Sequence, residues 1–120
     1  MKKLLITLLL ISPFSFADWD DVYYCQMTNN SGITVEGKKE NYILEKFQFK
    51  LDKARNAVVF GGSGYFTDSV MELKQGRIWP KTEEWMASDA NSMLYFKEGK
   101  FLYVSLTLEA NSKSADCDKF

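Results

Sequence analysis

The sequence predicts an all-β fold, a small antiparallel β-meander that forms a barrel or a sandwich of about seven to nine short strands. Short segments with alternating apolar and polar residues recur between turn signals, and no segment has the pattern of a long amphipathic helix. Aromatic residues make up 15% of the chain, as expected where large rings supply most of the buried area of a small β core. We also expect one disulfide to tie the two ends together.

The first 17 residues, "MKKLLITLLLISPFSFA", have the features of a bacterial export signal. Two lysines precede an apolar run, a proline follows it, and small residues at Ser15 and Ala17 mark a cleavage site. The apolar run is too short to span a membrane. We therefore expect a signal peptide over 1–17 and a single exported β domain over 18–120, periplasmic or secreted, with no membrane span.

Four strands are expected in the first half of this domain. "DVYYCQMT" alternates, the polar "NNSG" at 29–32 has turn chemistry, and "ITVEG" follows, which predicts two strands joined by a turn. "EKFQFKLDK" at 45–53 alternates strictly, so it predicts a strand with one buried and one solvated face. "AVVF" at 57–60 predicts a fourth, short strand.

Glycines follow this strand in "AVVFGGSGYF" at 57–66. A dinucleotide-binding loop needs G-x-G-x-x-G at the start of a helix, and here Thr67 stands where the third glycine would be. The segment is therefore predicted to be a turn between strands that exposes Ser63 and Tyr65, a candidate partner-contact loop.

The next segment, 67–76, is compatible with a two-turn helix or with a strand. A Ser69-to-Glu72 capping box favours the helix, whereas the β-rich surroundings favour the strand, which we prefer. A further short strand is expected around Trp85.

The segment "SMLYFKEGKFLYVSLTLEA" predicts a tight hairpin about Glu98 and Gly99. A two-residue loop places Phe96 opposite Phe101 and Leu94 opposite Tyr103. Both faces of this hairpin are apolar, although one face of a solvated sheet should be polar. We therefore expect the second face to cover another layer or to line a cavity. That face carries Met93, Tyr95, Leu102, Val104, Leu106 and Leu108.

Composition excludes several classes of function. The sequence has two cysteines, Cys25 and Cys117, and no histidine. An oxidising compartment favours a disulfide between the cysteines, while the lack of histidine removes the usual activator of serine or cysteine nucleophiles and the commonest zinc ligand. The net charge of −1 comes with no basic stripe that would suggest nucleic acid. We expect no enzyme activity, no cofactor and no metal site.

The remaining candidate site residues are aromatic: Trp79, Trp85, Tyr95 and Tyr103. In a closed barrel such residues line the mouth or the interior, where small apolar ligands bind. The sequence therefore predicts a non-catalytic exported β domain that binds a small apolar ligand or a partner protein.

The layout also resembles that of the periplasmic inhibitors of C-type lysozyme, small β-barrels with an early and a late cysteine and a Ser-Gly-x-x-Tyr motif. "GGSGYFTD" at 61–68 is similar to this motif, with Tyr65 two residues closer to Ser63-Gly64 than in the family. In that family the serine enters the lysozyme cleft. The resemblance implies an alternative function, inhibition of a secreted hydrolase such as lysozyme, with Ser63 as the contact.

Overall fold

The computed structural model describes residues 18–74 and 84–120. Within these ranges the protein is all-β, with nine antiparallel strands and no helix. The strands are β1 (Val22–Thr34), β2 (Lys39–Asn41), β3 (Lys46–Asp52), β4 (Ala57–Phe60), β5 (Val70–Lys74), β6 (Trp85–Ser88), β7 (Ser92–Lys97), β8 (Lys100–Leu106) and β9 (Glu109–Lys119).

Eight of these strands form a closed barrel. Strands β3 to β9 follow one another in sequence order, β1 pairs with β3 on one side, and β9 returns to pair with β1 on the other. Strand β2 is an addition, paired with Ser31–Ile33 near the end of β1. Of the two predicted alternatives, a barrel or a sandwich, the structure is therefore a barrel.

The disulfide lies at the point of closure. Cys25 on β1 is directly opposite Cys117 on β9, with their Cα atoms 4.0 Å apart. The two residues are separated by 92 positions in sequence, so one covalent bond links the first barrel strand to the last. The predicted disulfide is confirmed.

Aromatic side chains fill the barrel interior. Phe49 and Phe96 are almost completely buried and meet edge to face, with ring centroids 5.1 Å apart. Each strand of the C-terminal hairpin alternates between buried and exposed residues, so one face of the hairpin joins this core. The barrel thus has a packed aromatic core, to which eight rings contribute: Tyr23, Phe47, Phe49, Phe60, Phe66, Phe96, Phe101 and Tyr103.

The turn predicted at 29–32 is wrong, because this segment continues β1. A register shift between Met27 and Asn29 accommodates the polar residues within the strand. Buried Asn30 donates its side-chain amide to the carbonyl of Ile43 at 2.8 Å. Asn29 to Gly32 are therefore strand residues paired with β9, and the chain reverses later, where Gly37 has a φ of 83°.

The separate strand predicted at "ITVEG" is also wrong, because Ile33 and Thr34 belong to β1 and positions 35–36 form the turn. The strands predicted from 45–53, from 57–60, around Trp85 and in the C-terminal hairpin are confirmed. The C-terminal hairpin pairs Phe96 with Phe101 and Leu94 with Tyr103, and its turn residues have positive φ. In the ambiguous segment 67–76, Val70–Lys74 is a strand, and positions 75–76 lie outside the described residues. The signal peptide predicted over 1–17 also lies outside them.

The geometry of closure leads to a prediction about stability. Replacing both cysteines by alanine (Cys25→Ala with Cys117→Ala) should lower the free energy of unfolding by about 4 kcal/mol, because the unfolded chain regains the freedom that a long closed loop removes. Urea unfolding followed by tryptophan fluorescence measures this loss. Wild-type protein treated with reductant should lose a similar amount, and a variant as stable as the oxidised protein would contradict the prediction.

Candidate functional site

Side chains fill the barrel interior, so a candidate binding site lies on the outer surface. Because the inner rings pack against one another, the side chains that remain available to a partner are those that point outward. Strands β7 and β8 carry apolar residues there, where a barrel facing water should be polar. Together with one residue of β1 they are between 44% and 67% exposed: Ile33, Met93, Leu102, Val104 and Leu106.

All of these side chains except Leu102 line an open groove with a volume of about 920 Å³. We call it the outer groove. It crosses the ends of β2, β1, β9, β8 and β7 and reaches the turn between β6 and β7. Its apolar lining consists of Ile33, Ala90, Met93, Val104, Leu106 and Ala110. Its charged lining residues are Lys39 and Asp89.

The second face of the C-terminal hairpin was expected to cover another layer or to line a cavity. In the structure this face looks outward, and no second layer of the described residues covers it: Met93 and Leu106 are 53% and 67% exposed. Met93, Val104 and Leu106 line the outer groove. This face of the hairpin thus lines an open groove on the outside of the barrel instead of an internal cavity.

The aromatic residues predicted to bind a ligand do not share one site. Tyr103 lies inside the barrel, where its hydroxyl donates to the Ser92 hydroxyl at 2.9 Å. Burial is the main reason why the pKa of Tyr103 is raised. Its side chain acts as part of the core and is not among the groove residues.

Trp85 and Tyr95 occupy other positions. Trp85 is half-buried and meets Trp19 edge to face, with ring centroids 5.1 Å apart, while its buried indole nitrogen has no hydrogen-bond partner among the described residues. Tyr95 is half-buried on β7, and burial together with a hydrogen bond to Glu84 raises its pKa. Trp79 lies outside the described residues.

The glycine-containing loop at 61–69 joins β4 to β5, as predicted for a turn. Its Phe66 enters the barrel end and stacks on Phe60 with a centroid distance of 4.4 Å. Backbone hydrogen bonds from Asp68 to Gly61 and from Ser69 to Phe66 close the loop. The loop is therefore anchored by an inward aromatic ring.

Ser63 and Tyr65 are exposed at the tip of this loop, as predicted. The backbone N–H of Tyr65 donates to Glu45 at 2.8 Å. The ammonium group of Lys113 lies 4.0 Å from the centre of the Tyr65 ring, which is the geometry of a cation–π contact. Two side chains outside the loop thus hold its tip in place.

Lys113 is unusual because it is 2% exposed and points into the barrel end. Burial disfavours the charged form and lowers the pKa of the ammonium group, while Glu45 and Glu109 oppose this shift. No carboxylate of the described residues lies within ion-pair distance of it. Its neighbour across the sheet is Asn30, whose buried side-chain oxygen also has no hydrogen-bond partner there.

The described parts of the chain, 18–74 and 84–120, contain neither a candidate metal site nor a candidate membrane-spanning helix. No group of three or more His, Cys, Asp or Glu residues could hold a metal ion. No helix in these ranges is long and apolar enough to cross a membrane.

Comparison of the chain with protein-family models, with curated proteins and with solved structures found no match.

Sequence reasoning missed the inward positions of Phe66 and Lys113. Alternation along β9 indicates that Lys113 points inward, since it lies two residues before the buried Ala115. A lysine at an inward position was not expected, because burying an ammonium group costs free energy. Phe66 had no periodic signal, as it lies in a loop.

The buried lysine predicts a change of stability with pH. Because the folded state lowers the pKa of Lys113 below its usual 10.5, the unfolded state binds more protons between the two values, and stability should rise with pH in that window. The uncharged variant Lys113→Met lacks this contribution. Urea unfolding at pH 7 and at pH 10 should show wild type gaining stability relative to Lys113→Met at the higher pH.

Both proteins share the tyrosines that ionise at high pH, so their effect cancels in this comparison. A difference in unfolding free energy between wild type and variant that stays constant from pH 7 to pH 10 would show that the lysine is as solvated in the folded state as in the unfolded one.

Proposed function

We propose that this protein is a non-catalytic binding domain that recognises a partner protein, or a small apolar molecule, through the outer groove. The observation that carries this proposal is the row of exposed apolar side chains on the outside of a barrel whose interior is already full. The largest contiguous apolar patch on a monomeric protein often has a binding role.

The shape of the groove favours a partner protein over a small ligand. Sites for small molecules usually bury most of the ligand surface, whereas this groove is open along the outside of the sheet. A protein surface can cover an open apolar face and leave polar residues at its rim. Ser31, Ser88 and Ser112 line the groove and can contribute to such a rim.

The chemistry of the groove supports binding without catalysis. It contains one lysine, one aspartate and several serines, and the sequence has no histidine to activate a hydroxyl group. We further propose, from the predicted signal peptide and the disulfide, that the protein acts in the periplasm or outside the cell.

A site-specific photo-cross-linker tests the groove directly. Placed at Met93 in the groove, it should form a discrete covalent adduct in whole cells, which gel mobility and mass spectrometry identify. At Val70, which is 48% exposed on β5 away from the groove, the same cross-linker should form no such adduct.

The Leu106→Lys substitution should abolish the adduct at position 93, because a charged group at the centre of an apolar contact must be desolvated. The same adduct from positions 93 and 70, or no adduct from position 93, would contradict the proposal that the groove binds.

Inhibition of a secreted hydrolase is a second candidate function, favoured by the fixed tip of the 61–69 loop. Ser63 projects from a loop that Phe66, Glu45 and Lys113 hold from three sides. A preorganised loop loses little conformational entropy when it enters a cleft.

Under this second function, micromolar protein should slow cell-wall hydrolysis by a C-type lysozyme, and Ser63→Arg should weaken inhibition at least tenfold because the larger side chain blocks entry. The control Thr107→Arg places the same group in the exposed turn between β8 and β9 and should leave inhibition unchanged. Absence of inhibition by the wild-type protein would exclude lysozyme as the target.

A further inference from the structure

We propose that a second copy of this chain occupies the outer groove, related to the first by a two-fold axis that passes close to Ala110. The inference rests on the proposed function, because it uses the same binding face and names its partner.

The first observation is the order of side chains across the groove. In the sheet register Lys39 is opposite Ile33, Ile33 is opposite Ala110, and Ala110 is opposite Leu106. All four line the groove. They form one continuous row across β2, β1, β9 and β8.

On its far side the row continues to an acidic residue. The backbone N–H of Leu106 donates to the carbonyl of Asn91 at 2.9 Å, in the turn that joins β6 to β7. Asp89 lies in the same turn and lines the groove. The row therefore begins with a cation, passes over three apolar side chains and ends with an anion.

Neither charge has an ion-pair partner among the described residues. Lys39 and Asp89 are both exposed, and neither takes part in any of the ion pairs of this part of the chain. A side-chain oxygen of Asp89 accepts the backbone N–H of Asn91 at 3.1 Å. Both charged groups remain available to a partner.

The row is self-complementary under a two-fold rotation. Ala110 lies on β9, and Lys39 is two strands away from it through β1. On the other side, the Asp89 carboxylate accepts the N–H of Asn91, whose carbonyl pairs with Leu106 on β8. Each charged end is thus about two strand spacings, roughly 10 Å, from Ala110. Rotation about an axis at Ala110 places Lys39 against the second copy's Asp89 and Ile33 against its Leu106. The small Ala110 side chain at the axis allows the two sheet faces to approach. A two-fold interface requires this self-complementarity.

Other occupants fit the row less well. With one cation and one anion, the groove has no net charge that would select a strongly acidic or basic partner. A small apolar ligand would leave both Lys39 and Asp89 without a partner. A second copy satisfies the two charges and covers the apolar residues between them.

The size of the patch sets the expected strength. About 20 Å of sheet width and five residues along each strand give roughly 300 Å² of face, below the roughly 800 Å² per partner of a standard interface. We therefore expect a dimer that dissociates in the micromolar range, and sedimentation should be measured from about 1 to 500 µM.

Charge exchange gives the decisive test by analytical ultracentrifugation. Lys39→Asp and Asp89→Lys should each raise the dimer Kd about tenfold, because each modest pair occurs twice in a two-fold interface and becomes repulsive. An equimolar mixture of the two variants should restore the dimer, since Asp at position 39 of one copy then faces Lys at position 89 of the other. The control Lys74→Asp changes net charge equally on β5, outside the groove, and should leave the Kd unchanged.

Three results would overturn the inference: a wild-type protein that stays monomeric up to 500 µM, a dimer insensitive to both exchanges, or a mixture that fails to restore it. The photo-cross-linker at Met93 separates this failure from that of the proposed function. An adduct with a different protein and none with a second copy would leave the groove as a binding face and exclude self-association.

Discussion

Closure of the sheet between β1 and β9 is the constraint on which the rest of the structure depends. The two longest strands run antiparallel from Tyr23 to Thr34, and the Cys25–Cys117 disulfide fixes their register near one end. A closed sheet has no free edges in the barrel. Closure also defines an inside, and the alternation of side chains then decides which residues fill it and which are left outside.

Because the barrel interior is filled, a binding site for a partner would have to lie on the outer surface. Rings from most of the barrel strands, and Phe66 from a loop, pack in the space where some other eight-stranded barrels hold a small ligand. The outward side of β7, β8 and the end of β1 consequently carries the features that a partner would contact. The same packing anchors the 61–69 loop from within, through the ring of Phe66.

Cysteine usage predicted the disulfide, while periodicity, a local signal, predicted the fold class and most of the strands. It failed at Asn29 to Gly32, where polar residues that usually form turns obtain hydrogen bonds from distant parts of the chain, such as Ile43. The candidate aromatic site was less predictable. The hairpin pattern places Tyr103 and Tyr95 on opposite faces, but both faces are apolar, so the pattern does not say which of the two points inward. The outer groove was visible in part, as a second apolar face on the C-terminal hairpin, but its neighbours from β1 depend on long-range pairing.

Pairing of the first barrel strand with the last also shapes the folding reaction. Contacts between residues about 90 positions apart raise the contact order, and proteins with many such contacts fold slowly. Strands β3 to β8 can associate with their sequence neighbours as a meander, whereas β1 gains its longest partner when β9 arrives. Until then β1 and β8 each present an unpaired edge to other chains. The arrival of the C-terminal strand is therefore the step at which an aggregation-prone open sheet becomes a protected barrel.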